Sequence, residues 1–179
     1  MNTKQTIANS LIELMFTKHL DKIYVIDIAN KANITRQTFY RHYKDKYDVI
    51  NWYYDQNIES LFECTNSVQG IRDNLIKKYD FYKERMAFFR HAYRCNSQNS
   101  LTDHEYKRIY TSLSAKIQAK TGIRESSQSQ ELIYALSFFI HGLLHLTIDW
   151  LYASCPISSE EFADIIIDLM PIEVKNHLK

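Results

Sequence analysis

The side chains best placed to do chemistry lie in residues 25–50, VIDIANKANITRQTFYRHYKDKYDVI. Phe39 and Tyr43, four apart, put apolar bulk on the inner face of a short helix and leave Arg36, Gln37, Thr38 and Arg41 largely outward. Arginine can read guanine and glutamine can read adenine in a major groove. Thr35 is a good helix cap, and its hydroxyl is also suited to phosphate. Asp45 can cap the next helix. Lys46 in that helix's first turn then adds a cation where backbone N–H groups and the helix dipole already favour an anion. Tyr40 and His42 lie beside this clamp and can donate to a phosphodiester backbone. The chemistry is recognition rather than bond cleavage. No P-loop, GxSxG or HExxH pattern occurs in the chain, so no enzyme is expected.

Such residues need a scaffold. Ile7, Leu11, Leu14 and Met15 share one face of a first helix that starts near Thr3 and is expected to end near Lys18–Asp21. Ile28, Ala29 and Ala32 give a second helix, about Val25–Ala32, a narrow apolar stripe that lets the third approach closely. Asn33-Ile34-Thr35 makes the turn, and Ile34 plugs it. The third helix runs from Arg36 to His42 or Tyr43, and a long helix follows to about Cys64. Polar clusters at Asn66–Gln69, Cys95–Thr102, Thr121–Gln130 and Ser154–Ser159 then bound helices of about 71–94 (one or two pieces), 102–120, 130–153 and 159–170. Ser158 and Glu161 have the spacing of a capping box, with Pro156 just upstream.

Composition agrees with an all-α chain. Of 179 residues, only three are glycine and two proline, and 45% are hydrophobic. Residues 1–50 carry eight Lys and Arg against five Asp and Glu, a formal +3, in a chain of net charge +1. Cys64, Cys95 and Cys155 are too scattered for a disulfide framework or a CxxC site. The start, MNTKQTIANSL, lacks the apolar run of a signal peptide, so a cytoplasmic location is expected. The apolar stretch Leu132–Ile148 contains Ser137, His141, Gly142, His145 and Thr147, and reads as a buried helix rather than a membrane span.

The segment 25–50 resembles the helix-turn-helix of TetR-family transcriptional regulators. The matching elements are Ile28-Ala29, Ala32-Asn33-Ile34, Phe39-Tyr40, Tyr43 and Lys46. Two positions depart from the family pattern. Val25 stands where a Ser or Thr usually caps the second helix, and Asn33 replaces the turn glycine, which is tolerable because Asn accepts a left-handed backbone. The resemblance implies a helix-turn-helix DNA-binding domain over 1–48 and a helical dimerisation and effector-binding domain over 49–179. It implies that Thr35 to Thr38 face bases or nearby phosphates, and that Tyr40, His42 and Lys46 hold the backbone. The partners it implies are a double-stranded DNA operator, a second copy of the chain, and a small-molecule inducer or a co-regulator protein. An effector-free interaction module working through a protein partner is the alternative.

The C-terminal run HGLLHLTIDWLYASCPISSEEFADIIIDLM resembles the last two helices of the TetR branch that includes activators of dihydroxyacetone-kinase operons. In that family these helices pair about a twofold axis. Leu136, Phe139, Leu143, Leu146 and Trp150, with Phe162, Ile166 and Leu169, are the residues expected to face the partner. Tyr82, Met86, Phe89, Tyr93, Tyr106, Tyr110, Phe138 and His141 are the aromatic-rich set expected to line an effector pocket; the bland reading is an aromatic core. His141, His145 and Asp149 share a helix face and are read as hydrogen-bonded groups beside the dimer seam. No metal or cofactor is expected.

Overall fold

The computed structural model describes residues 2–62, 67–94, 99–122 and 128–178, and all its regular elements are helical. In order they are α1 (Thr3–Met15), a 3-10 turn (Leu20–Lys22), α2 (Val25–Lys31), α3 (Arg36–His42), α4 (Lys46–Phe62), α5 (Val68–Glu84), α6 (Met86–Tyr93), α7 (Leu101–Thr121), α8 (Gln130–Tyr152), α9 (Ser159–Asp168) and α10 (Ile172–Asn176). The helix expected over 71–94 is two helices, α5 and α6, meeting at Arg85. The short α10, capped by Pro171, was not foreseen. Cys64 and Cys95 lie outside the described residues; Cys155 is buried.

The chain divides into two compact units. One comprises Met1–Asn57 and Arg85–His104, the other Ile58–Glu84 and Glu105–Lys179. The sequence reading placed a single cut between residues 48 and 49; the grouping in space is not collinear with the chain. The reason is α6, whose Phe88, Phe89, Ala92 and Tyr93 are buried and which packs with α1 inside the first unit.

In the first unit, α1 ends at Met15, earlier than expected, and the chain tightens into the 3-10 turn that buries Leu20. Asn2 caps α1, its side chain accepting from the Lys4 N–H at 3.1 Å. Ile7, Leu11, Ile28, Ala29 and Phe39 are at most 1% exposed and form the core beneath the helix-turn-helix.

In the second unit, α8 is long and apolar enough to cross a membrane. Nine of its residues are nonetheless buried against neighbouring helices. Trp150 lies parallel to Phe162 of α9 with ring centroids 5.0 Å apart, and Phe162 also meets Tyr79 of α5 at 4.7 Å. Arg72 of α5 donates through Nε and Nη2 to both carboxylate oxygens of Asp164 of α9, tying the same pair of helices at the surface. The expected capping box starts α9: the Ser158 hydroxyl accepts from the Glu161 N–H at 3.1 Å, and the Glu161 carboxylate accepts from the Ser158 N–H at 3.0 Å.

Candidate nucleic-acid interface

The turn between α2 and α3 depends on one residue. Asn33 has φ of 54°, a left-handed conformation that asparagine tolerates better than most side chains. It redirects the chain so that Ile34 N–H donates to Ala29 O at 2.9 Å and closes the end of α2. The start of α2 differs from the expectation. Its N-cap is Tyr24, one residue before Val25, and the Asp27 carboxylate accepts the Tyr24 N–H at 2.8 Å. Asp27 thus supplies the reciprocal bond of a capping box to the N-cap N–H, and the N-cap itself is an exposed tyrosine.

On α3 the inner and outer faces separate as the spacing predicts. Phe39 is fully buried, and Tyr43, 3% exposed, donates its hydroxyl to Lys4 O at 3.1 Å. Burial, and then the charge of Asp48, push the Tyr43 phenol far above its ordinary value, so it remains a donor. Thr35, Arg36, Gln37, Tyr40 and Arg41 are exposed, with Thr38 and His42 intermediate. Three of them are linked. Thr35 Oγ1 accepts the Thr38 N–H at 3.0 Å, the Thr35 and Thr38 hydroxyls lie 3.0 Å apart, and Arg41 Nη2 donates to Thr38 Oγ1 at 3.1 Å. This ladder fixes the guanidinium along the helix before any partner arrives. Among the described residues no hydrogen bond holds Arg36 or Gln37, which leaves their donors and acceptors available for a ligand.

At the start of α4, Asp45 caps as expected, its Oδ1 accepting from the Tyr47 and Asp48 N–H groups, each at 2.8 Å. Lys46 does something its sequence position did not reveal. Its ammonium donates to Leu20 O at 2.6 Å and Ile23 O at 2.9 Å, pinning the 3-10 turn to α4.

The other expected sites are placed differently. Of the residues expected to face a partner chain, Leu136, Phe139, Leu143, Trp150, Phe162 and Ile166 are at most 6% exposed within their own unit, whereas Leu146 and Leu169 are exposed. The expected pocket residues are divided between the two units. Met86, Phe89 and Tyr93 belong to the first unit, while Tyr82, Tyr106, Tyr110, Phe138 and His141 belong to the second. Phe138 is 80% exposed. Tyr106 stacks on His141 at 4.6 Å and on Tyr110 at 6.0 Å, and its hydroxyl donates to Ser137 Oγ at 3.0 Å. A cavity does exist in the second unit, lined by residues of α5, α7 and α8 and by Met170, and none of the eight expected residues borders it. Aromatic content was the signal followed; the cavity wall is mainly aliphatic.

A helical head offering a polar, pre-ordered helix, joined to an all-helical body, is the architecture of helical transcriptional regulators. Residues 70–171, more than half of the chain, match the TetR-type family described as the transcriptional regulator C-terminal region, and the chain belongs to that family. It is 25% identical over 87 residues to the HTH-type dhaKLM operon transcriptional activator DhaS of Lactococcus lactis subsp. lactis (strain IL1403). That alignment covers 49% of this chain and 46% of the relative, so it spans about half the length of either. Among solved structures, the dihydroxyacetone kinase operon activator DhaS superposes with a TM-score of 0.64 over 97% of both chains at 17% identity. The fatty acid degradation regulator FadR from Bacillus halodurans gives 0.59 over 95% of both at 12% identity. These two likenesses establish the fold, and the expectation of an all-α regulator of TetR type is borne out.

Proposed function

We propose that this chain is a cytoplasmic, sequence-specific DNA-binding regulator without catalytic activity, which reads a pseudo-palindromic operator as a homodimer. The observation that carries the reading is the outer face of α3, where Arg36, Gln37 and the Thr35–Thr38–Arg41 ladder project above a buried Phe39. One such helix reads few base pairs; two copies about 34–36 Å apart read two successive half-sites. Tyr40, His42 and the exposed Tyr24 flank the helix as donors to phosphate.

The second copy is supported by an apolar surface on the last long helices. Tyr134, Phe138, Leu146 and Tyr152 of α8 are exposed, as are Ile165 and Leu169 at the end of α9. This set replaces most of the residues first expected to meet the partner. A small ligand, or a partner protein, adjusts operator affinity by favouring one arrangement of the dimer.

Footprinting on DNA flanking the chain's own coding region tests the proposal. Two protected patches, one helical turn apart, are expected, with affinity falling steeply as salt rises. A uniform, sequence-independent footprint would refute it.

A further inference from the structure

Thr35, Thr38 and Arg41 recur at every third position, which lines them along one side of α3. Thr35 Oγ1 accepts the Thr38 backbone N–H, a bond that starts the helix and does not involve the Thr38 side chain. The two hydroxyls lie 3.0 Å apart, and Thr38 Oγ1 also accepts from Arg41 Nη2 at 3.1 Å. Whichever hydroxyl donates to the other, one hydroxyl hydrogen is left over for a partner. Arg41 is exposed, and among the described residues no other group engages its guanidinium. No carboxylate stands on α3. This side of the helix is therefore rich in donors and short of acceptors. Its complement in a major groove is a base edge with two acceptors and no donor. Guanine has that edge, in N7 and O6. Adenine sets its N6 amino group against the same fork, cytosine presents a donor, and thymine presents one oxygen beside a methyl.

An unrestrained arginine meets a phosphate as readily as a base. Here a neutral hydroxyl one turn away sets the direction of the fork and leaves its charge uncompensated. Planar two-point recognition gains most from a direction set in advance. We infer that Arg41 reads a guanine in each half-site, and that Thr38 is a positioning residue that aims it. The inference deepens the proposed DNA reading and rests on it.

Duplex DNA selected from a randomised pool by the full chain supplies the probe. The selected half-site is expected to hold a fixed guanine. Replacing that guanine by 7-deazaguanine removes the N7 acceptor and keeps base pairing. The replacement should weaken the parent about tenfold and leave Arg41→Ala no weaker than it already is. Arg41→Ala should lose about tenfold in preference at that base pair and keep its preferences elsewhere in the site. Thr38→Val should lose preference at the same base pair. Thr38→Ser, which returns the hydroxyl, should restore it, an outcome that a merely packing role for Thr38 would not produce. Equal loss on every sequence in Arg41→Ala would make Arg41 a phosphate contact and overturn the assignment. So would a 7-deazaguanine site bound as tightly as the guanine site, Thr38→Val acting at a different base pair, or Thr38→Ser behaving as Thr38→Val. A selected site indifferent to Arg41→Ala would end this inference and leave the regulator reading standing; a pool that yields no common sequence would end both.

Discussion

The ammonium of Lys46 is bound to protein before any nucleic acid arrives. Two backbone carbonyls, Leu20 O and Ile23 O, already accept from it. Hydrogen bonds from a charged donor contribute about 1.5–3 kcal/mol each at most sites, and partial exposure reduces that. Lys46→Met should therefore destabilise the chain by about 1–3 kcal/mol in denaturant titration, in addition to weakening DNA binding. A variant that lost operator affinity with unchanged stability would show that only the phosphate contact matters. The α3 residues should behave otherwise. Tyr40→Ala should weaken binding to all sequences alike and leave relative preferences intact, because a phosphate contact carries no base information. Gln37→Ala should alter preference at one base pair by about 1–3 kcal/mol, read from binding to a panel of single-base operator variants. Preference unchanged in Gln37→Ala would remove that side chain from base reading. The outward placement of the α3 side chains was legible in the sequence because helix-turn-helix geometry is local. A cap, a left-handed Asn and a pair of inward aromatics suffice to orient seven residues.

Elements that depend on distant partners were less legible. On α8, apolar residues lie on nearly every side, so periodicity alone could not say which side is the unit's own core. The sequence reading chose the side of Leu136, Phe139, Leu143 and Trp150 as the outer one, and the fold turns it inward. The true outer face mixes Tyr134 and Phe138 with His141, His145 and Asp149, and its polar members disguised it. The placement of α6 likewise follows from long-range packing that no local pattern encodes. That packing has a measurable consequence. His91 of α6 meets His19, just before the 3-10 turn, at 5.4 Å between ring centroids, with Asp21 and Arg94 also bordering the gap. Burial, then the charges of His19 and Arg94, hold the His91 imidazole below its ordinary value. The neutral ring is thus favoured in the folded state. The resulting stability is complete above the ordinary imidazole value of about 6.5 and is lost as pH falls through the lower folded value. Thermal unfolding between pH 7.5 and 5 should show a smaller acid-induced drop in melting temperature for His91→Gln than for the parent. Equal drops would mean that the contact does not couple to protonation.

At the scale of the whole molecule, Gly142 bears on the proposed second copy. It sits in the middle of α8, where glycine costs about 1 kcal/mol relative to alanine. Its own chain has no need of the missing side chain: a Cβ built there meets nothing within 4 Å. The position is flanked by exposed Phe138, His141, His145 and Leu146, the surface proposed to meet a partner. A glycine that costs stability and relieves no clash within its own unit fits a helix that another helix approaches closely. Gly142→Ala should then raise the stability of the isolated chain by about 1 kcal/mol. In sedimentation, the same change should weaken self-association, because the added methyl enters the space of the second subunit. Phe138→Glu, on an 80% exposed side chain, should leave monomer folding intact and push the population to single chains. Both variants should lose operator affinity in proportion to lost dimer, since one α3 alone spans only a half-site. Dimerisation unaffected by both changes would move the twofold axis off this face of α8.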